Sequence, residues 1–279
     1  MTAFLKMHGL GNDFVVFDGR KGGIPLEPAL ARAVADRRFG IGCDQVIVIE
    51  ASKNGAEIAM RILNADGGEV ESCGNAARCV ARLLMEERDV GSVRIDTVGG
   101  PLLCTDAGQG FVTVDMGAPR FDWQDIPLAK SLDTNGFALA VGGMTLTAAA
   151  ANVGNPHCIL FVDDAEAADV AGLGPQIEQH PLFPARINVE FVSALSPSRL
   201  RMRVWERGVG ITRACGTGAC ATAVAAHRRG VAERRVDVAL DGGVLSIAWR
   251  ESDDHILMTG PSTLSFAGDV DLAGLERAR

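Results

Sequence analysis

Two segments of this sequence resemble each other and limit how the chain can fold. They read "SCGNAARCVARLLMEE" and "ACGTGACATAVAAHRR", and each begins with a cysteine, a glycine and a polar residue ahead of an apolar helical stretch. The leading cysteines, Cys73 and Cys215, lie about half a chain length apart. The second segment consists of small, mostly apolar residues up to its basic end, so its helix should be buried on nearly all sides. We predict two similar lobes, each with strands wrapped around one central helix; a chance likeness of two alanine-rich helices is the alternative.

Short runs of β-branched or alternating residues recur along the chain, bounded by Gly, Asp or Asn. They predict strands at residues 13–18, 45–50, 58–63, 111–116, 157–162, 187–192, 200–206, 236–240, 244–249 and 262–266. Helical patterns occupy residues 27–38, 75–88, 164–178 and 217–229. Too few helices separate the strands for a doubly wound parallel sheet, so we expect an α+β fold. The boundary between the lobes is placed near "GAP" at residues 117–119.

Charge and hydropathy narrow the classes of partner. The net charge is −8, and basic residues cluster only in pairs, which argues against binding to nucleic acid. No apolar run approaches the ~20 residues of a membrane span, and the first residues lack the pattern of a secretory signal. We therefore expect a cytoplasmic protein with a small-molecule partner, and neither a nucleic acid nor a membrane.

The seven cysteines do not form a recognisable framework. Their number is odd and no secretory signal is visible, which argues against disulfides. No pair has C-x-x-C spacing, so neither a zinc site nor a thiol redox motif is expected, and we predict no metal. Five of them are interpreted as buried packing residues: Cys43, Cys79, Cys104, Cys158 and Cys220.

Cys73 and Cys215 differ from the rest because each stands at the start of a predicted helix. A helix N-terminus carries free N–H groups and partial positive charge, which should lower the pKa of an adjacent thiol. The same N–H groups can hold a carboxylate. We predict that each half of the chain offers a thiolate beside an anion cradle.

Two matched thiols suit inversion of a carbon that carries a hydrogen. One thiolate removes the proton from one face while the other thiol delivers a proton to the opposite face. Pyridoxal phosphate would be an alternative, but it requires a lysine, and the chain has only Lys6, Lys21, Lys53 and Lys130, none in a suitable loop. We expect no cofactor.

Six ordered blocks of the sequence resemble the diaminopimelate epimerase family, which interconverts LL- and meso-diaminopimelate without a cofactor. They are "MHGLGNDFVVFD", "GIGCDQVIVIE", "ILNADGGEVESCGNAARC", "NVGNPHCILFV", "RINVEFV" and "WERGVGITRACGTGACA". The resemblance implies two pseudo-symmetric lobes, each a strongly curved, mostly antiparallel sheet around a central helix. Residues 1–117 and 262–279 would form the lobe with Cys73, and residues 118–261 the lobe with Cys215. The active site would lie in the cleft between them, and a homodimer is expected.

The resemblance also assigns roles to individual residues. Cys73 and Cys215 match the catalytic acid/base thiols, and His157 and Glu206 match positions that assist them. The substrate-binding positions are matched by Asn12, Gln45, Asn64, Gly74, Asn75, Asn155, Asn188, Glu206, Arg207, Gly216 and Thr217. From their residue types alone, Arg207 suits a carboxylate and Glu206 an ammonium group.

Alternatives and one departure remain. A racemase of the proline racemase type, a non-catalytic amino-acid-binding protein and a thiol redox protein compete with the epimerase reading. The family usually has glycine three residues after the first cysteine, where this chain has Ala76. Alanine should be tolerated there if its φ is negative, whereas a positive φ would distort the first cradle.

Overall fold

The computed structural model describes residues 1–277, most of them in strands. The strands are β1 (Thr2–Gly9), β2 (Asn12–Asp18), β3 (Gln45–Glu50), β4 (Ile58–Asn64), β5 (Ser92–Thr97), β6 (Gly100–Gly108), β7 (Phe111–Asp115), β8 (Phe137–Val141), β9 (Met144–Asn152), β10 (Pro156–Phe161), β11 (Asn188–Ser196), β12 (Arg199–Glu206), β13 (Gly210–Ile211), β14 (Arg235–Leu240), β15 (Gly243–Trp249), β16 (Ile256–Pro261) and β17 (Thr263–Val270). The helices are α1 (Pro28–Ala35), α2 (Gly74–Arg88), α3 (Val170–Glu178), α4 (Gly216–Arg228) and α5 (Leu272–Arg277).

The chain divides into two compact units. Unit 1 contains Met1–Val114 and the C-terminal segment from Gly260, and unit 2 contains Asp115–Thr259. Within the described residues, no helix is long and apolar enough to cross a membrane.

Both units follow the same order of strand pairing. In unit 1 the order is β17-β1-β2-β3-β4-β5-β6, with parallel pairs only at β2–β3 and β4–β5 among these neighbours. In unit 2 the order is β8-β9-β10-β11-β12-β14-β15, with parallel pairs only at β10–β11 and β12–β14. Parallel neighbours need a long crossover, and helices supply it at corresponding places: α1 and α2 in unit 1, α3 and α4 in unit 2. The two units are therefore repeats of one topology.

One helix is central to each unit. Helix α2 packs against β1, β5 and β6, and helix α4 packs against β9, β10, β11, β12, β14 and β15. The first eight residues of α2 are all buried, as is α4 from Gly218 to Ala226. Such burial explains why both helices are rich in alanine, since small side chains allow strands to approach from several sides. The prediction of a mostly antiparallel sheet around one central helix in each repeat is confirmed.

Local predictions agree with the structure in part. Each of the ten predicted strands and each of the four predicted helices overlaps an observed element. The predicted start of α3 at residue 164 is wrong, because the Asp169 carboxylate accepts the Gly172 N–H at 2.9 Å and caps the helix there. The sequence patterns missed β1, β5, β6, β8, β9, β13, β16 and α5.

Candidate active site

Cys73 immediately precedes helix α2 in unit 1. Its backbone is extended, with φ −145° and ψ 108°, so it is the N-cap residue, and its side chain is partly exposed. Gly74, Asn75 and Ala76 form the buried first turn. The φ of Ala76 is negative, which meets the condition for tolerating alanine at this position. The first turn therefore keeps the helical N–H groups that a carboxylate could use.

A buried polar network fixes the second residue of this turn. The Asn75 amide donates to Asn12 Oδ1 at 3.1 Å, and Arg78 Nη2 donates to Asn75 Oδ1 at 2.9 Å. Arg78 is completely buried and also donates to the Pro261 carbonyl at 3.3 Å. A guanidinium is buried only where several acceptors hold it, so Arg78 ties Asn75 and Asn12 into one rigid group.

Two further predicted binding residues of unit 1 form a cross-strand pair. Gln45 and Asn64 are directly opposite in the β3–β4 ladder, and Gln45 Nε2 donates to Asn64 Oδ1 at 2.9 Å. Gln45 Oε1 is buried and has no hydrogen-bond partner among the described residues. An unpaired buried amide oxygen is costly, so Gln45 Oε1 retains the capacity to accept a hydrogen bond.

Asn12 is held in place by a cluster of charged side chains. The Asn12 amide donates to Asp44 Oδ2 at 3.0 Å, and Arg37 bridges Asp44 and Asp13. Burial would raise the pKa of Asp13, but hydrogen bonds from Arg37 and Lys6 lower it to about 2. The cluster is thus charged at neutral pH and anchors the start of β2.

In unit 2 the predicted residues share one face of the sheet. His157 is opposite Asn188 in the parallel β10–β11 pair, and Glu190 lies two residues further along the same face. Glu190 is opposite Val204 in the antiparallel β11–β12 pair, which puts Glu206 on that face as well. The other face carries apolar residues of the core, such as Cys158, Val189 and Phe191. Helix α4 covers all three strands, so its N-terminus completes a polar site.

Cys215 is the N-cap residue of α4, equivalent to Cys73 in unit 1. Its Sγ accepts the Gly218 N–H at 3.4 Å and lies 3.6 Å from Thr217 Oγ1. The thiol also hydrogen-bonds the Glu206 carboxylate, which in turn accepts the Thr212 hydroxyl. A carboxylate that accepts a thiol proton is placed to act as its base.

The expected lowering of the Cys215 pKa is wrong. Burial raises the pKa of this thiol well above its usual range, and the charges of Glu206 and Glu190 raise it further. Hydrogen bonds from Thr217 and Gly218 act in the opposite direction but do not outweigh desolvation. Burial likewise raises the pKa of Glu206, although bonds from Thr212 and Cys215 oppose this. The structure therefore favours the protonated thiol of Cys215 over its thiolate.

His157 lies completely buried between two oxygen acceptors. Its Nδ1 is 2.6 Å from Glu190 Oε1, and its Nε2 is 2.7 Å from Asn155 Oδ1. Glu190 is also completely buried. The ring is thus fixed from both ends.

Asn188 and Arg207 connect the ends of neighbouring strands. Asn188 Nδ2 donates to the Pro156 carbonyl at 2.9 Å, and Asn188 Oδ1 accepts the Arg207 N–H at 2.9 Å. Asn188 therefore positions both the segment that leads to His157 and the one after Glu206. The Arg207 side chain is exposed and touches the protein through a 3.3 Å bond to the Ala185 carbonyl, which leaves most of its donors for a ligand.

No group of three or more His, Cys, Asp and Glu side chains within residues 1–277 is arranged to hold a metal ion. Each unit offers hydrogen-bond donors and acceptors of the kinds that pair with amino and carboxylate groups.

Comparison with known proteins agrees with this chemistry. The model of the family "Diaminopimelate epimerase" matches residues 4–121 and 149–265. A diaminopimelate epimerase of Erythrobacter litoralis is 55% identical over 272 residues, covering 97% of both chains. One of Rhodospirillum centenum is 52% identical over 268 residues, covering 96% of this chain and 91% of the relative. The chain belongs to the diaminopimelate epimerase family.

Solved structures show that the fold extends beyond diaminopimelate epimerases. A probable proline racemase from Agrobacterium radiobacter has a TM-score of 0.70 at 17% identity, covering 98% of this chain and 93% of its own. A predicted epimerase from Pseudomonas aeruginosa has the same TM-score and identity, covering 97% and 99%. The predicted fold class, with two pseudo-symmetric lobes, is confirmed.

In this member of the diaminopimelate epimerase family, two buried charged residues that contact predicted site residues were not themselves predicted from the sequence. Glu190 and Arg78 are completely buried charged residues, each within an apolar stretch of sequence. The sequence contains an indication of each: "INVEFV" has one carboxylate inside an apolar strand, and "AARCVA" has one guanidinium inside an apolar helix. Buried charges of this kind are retained only where they have partners.

Proposed function

We propose that this isomerase interconverts LL- and meso-diaminopimelate with Cys73 and Cys215 as the two acid/base groups. The observation that supports the proposal most directly is that both cysteines are N-cap residues of equivalent central helices. Equivalent placement in two repeats suits a reaction in which two bases exchange roles. The active site would form in the cleft between lobes 1–117 with 262–279 and 118–261, so that the thiols face opposite sides of one carbon.

In the proposed reaction, one cysteine thiolate takes the α-proton and leaves the electron pair on the α-carbon. The opposite thiol then donates its proton to the other face, which inverts the carbon and reverses the state of the two sulfurs. N–H groups of the turns at Gly74-Asn75 and Gly216-Thr217 hold the reacting carboxylate, whose charge increases as the proton leaves. No cofactor is required.

Glu206 and His157 would assist proton transfer to and from the two thiols. The Glu206 carboxylate already accepts the Cys215 hydrogen bond, so it can remove that proton when Cys215 must act as a base. By family resemblance, His157 also assists the thiols. Because burial opposes a Cys215 thiolate, the protonated form of Cys215 is the resting one, and it serves directly as the acid.

The remaining polar residues would recognise the substrate's two amino-acid ends. Arg207 offers a bidentate group for a carboxylate, and the unpaired Gln45 Oε1 offers an acceptor for an ammonium group. We assign Asn12, Asn64, Asn155 and Asn188 to the same function. A site with so many polar positions should reject an amino acid that lacks the distal end, because buried polar groups would stay unpaired.

The experiment compares substrates and cysteine variants. Wild-type protein should convert LL-diaminopimelate to the meso form and should leave L-proline and trans-4-hydroxy-L-proline unchanged. Cys73→Ala and Cys215→Ala should each lower kcat by about a thousandfold or more, since each removes a proton carrier. Cys104→Ala, which alters a buried thiol of the core, is the control. Conversion of proline but not diaminopimelate, or full activity in either of the first two variants, would refute the proposal.

We also propose a homodimer that works in the cytoplasm. Leu264 and Phe266 on β17 are large apolar residues with about half of their surface exposed, as expected for a covered face. All seven cysteines are thiols rather than disulfides, which suits a reducing compartment. Sedimentation equilibrium should give twice the chain mass.

A further inference from the structure

The repeat relates each residue of the unit 2 site to a residue of unit 1. In the parallel pair of unit 2, His157 is opposite Asn188, and in that of unit 1, Phe14 is opposite Gln45. Two residues further along the second strand of each pair stand Glu190 in unit 2 and Ile47 in unit 1. The polar pair His157–Glu190 thus corresponds to the apolar pair Phe14–Ile47.

All four residues of these two pairs are buried completely. The fold therefore accommodates a phenylalanine and an isoleucine at the positions where unit 2 has a histidine and a glutamate. Burying a carboxylate costs several kcal/mol unless it is well paired. Because unit 1 avoids that cost with apolar residues, the repeat topology itself does not require charges at these positions.

The contacts of Glu190 are concentrated on one atom. Its Oε1 is 2.6 Å from His157 Nδ1, whereas its Oε2 is buried without a hydrogen-bond partner among the described residues. Within the described structure, His157 is thus the one side chain that hydrogen-bonds this carboxylate. In turn, a hydrogen bond at Nδ1 fixes the tautomer and the plane of a histidine ring.

The helix above the pair leaves room for the carboxylate. Gly218 lies in the first turn of α4, and a Cβ there would be 2.8 Å from Glu190 Oε1. The corresponding residue of unit 1, three residues after Cys73, is Ala76. Glycine at this point allows Glu190 to occupy its position between the helix and His157.

From these contacts we propose that Glu190 is a positioning residue: its carboxylate accepts the Nδ1–H of His157 and leaves Nε2 as the nitrogen that exchanges protons in the active site. When it is protonated, Nε2 donates to Asn155 Oδ1; when it is not, it accepts from Asn155 Nδ2 with that amide turned over. The inference rests on the proposed function, in which His157 assists a thiol. Four polar groups lie around the His157–Glu190 pair or belong to it. They are Asn155, Glu206, Cys215 and Glu190. Of these, only Asn155 and Glu190 hydrogen-bond the ring within the described structure, and Asn155 contacts Nε2.

The first variant is Glu190→Gln, which keeps the shape of the side chain but removes its charge. We expect kcat for diaminopimelate to fall between tenfold and a hundredfold, with KM changed less than about threefold, because the ring is affected and the binding groups are not. The unfolding midpoint should stay close to that of wild type. An unchanged kcat would overturn the proposal.

The second variant is the double substitution His157→Phe with Glu190→Ile, which copies unit 1 into unit 2. It should fold with stability equal to or above that of wild type while epimerisation is lost. If the double variant and Glu190→Gln were both destabilised in proportion to their loss of activity, the pair would have a structural role and the proposal would fail.

A readout independent of activity separates this inference from the proposed function. In ¹⁵N-histidine NMR spectra of wild-type protein, His157 should show a protonated Nδ1 with a strongly downfield proton, and Glu190→Gln should shift or broaden that signal. Glu178→Gln removes another buried carboxylate of unit 2, bonded to Trp205 Nε1 at 2.7 Å, and should leave the signal unchanged. A wild-type His157 without a proton on Nδ1 would overturn the proposal even in an active enzyme. If instead the wild type failed to epimerise diaminopimelate, the proposed function would fail and the spectra would still test the contact.

Discussion

Gly218 and Ala76 occupy equivalent positions in the two repeats, three residues after Cys215 and Cys73. A Cβ on Gly218 would fall 2.8 Å from Glu190 Oε1 and 3.2 Å from Cys215 Sγ. Ala76 is completely buried in a first turn with negative φ. The departure from glycine in the first cysteine motif is thus compatible with an undistorted helix start.

This difference predicts that exchanging glycine and alanine will impair activity at position 218 but not at position 76. Gly218→Ala should lower kcat about tenfold or more, because the added methyl group must displace either the Glu190 carboxylate or the thiol. Ala76→Gly should leave kcat within about twofold and should cost about 1 kcal/mol of stability as a helical glycine. Steady-state kinetics and urea unfolding of both variants measure this. Equal loss of activity in the two would contradict the account.

The raised pKa of Cys215 predicts low reactivity in the absence of substrate. At pH 8, iodoacetamide should alkylate this thiol far more slowly than free cysteine, because little thiolate is present. Glu206→Gln removes the second-largest cause of the shift, so alkylation should become severalfold faster. Mass spectrometry of the Cys215 peptide gives the rate, with Glu178→Gln as the matched control. Rapid alkylation of wild type at pH 7 would show that the helix terminus outweighs burial.

Buried core thiols predict a loss of stability in alkali. Burial raises the pKa values of Cys43, Cys79 and Cys104 to about 12, against 9.0 for an ordinary thiol. Between pH 9 and 12 the unfolded chain releases these protons and the folded chain keeps them, so the free energy of unfolding falls as pH rises.

Cys104→Ala isolates one of these contributions. Its stability should fall less steeply than that of wild type, by up to about 1.4 kcal/mol per pH unit above pH 9. Tyrosine does not complicate the measurement, since the chain has none. Parallel curves of unfolding free energy against pH would contradict the assignment.

The buried hydrogen bonds of Arg78 lead us to expect that its replacement will affect both stability and substrate binding. Arg78→Met removes the buried donors to Asn75 Oδ1 and the Pro261 carbonyl, which should cost about 2–4 kcal/mol and raise KM by loosening the position of Asn75. Arg82→Met, one turn later and partly exposed, is the control and should cost less. The account would be wrong if KM rose equally in both variants.

The sequence predicted elements whose pattern is local. The runs at β3 and β11 are apolar and β-branched, and the central helices carry a duplicated motif. Strand β9 was missed because its sequence, "MTLTAAAAN", contains four alanines, which have low strand propensity. Those alanines are buried, and β9 packs against helix α4, so tertiary contact rather than propensity determines their conformation.

The site was predicted as a set of residues but not as an electrostatic environment. The motif around Cys215 indicated a helix N-terminus, and the structure confirms that position. What the motif could not reveal is that the Cys215 sulfur is buried and lies near Glu190 and Glu206 of the neighbouring strands β11 and β12. Burial, and after it these two charges, raises the pKa of the thiol instead of lowering it. Pairings such as His157 with Glu190 depend on strand register, and no short motif contains both residues.

The two-thiol account is tested most directly by the first turnovers of LL-diaminopimelate in D₂O. Because one thiol removes the proton and the other delivers a solvent-derived one, early meso product should carry deuterium at the inverted carbon. The remaining substrate should still carry protium. Mass spectrometry and NMR of both species at low conversion provide the measurement. Protium retained in the product, or equal deuterium in substrate and product from the start, would indicate a single base and contradict the account.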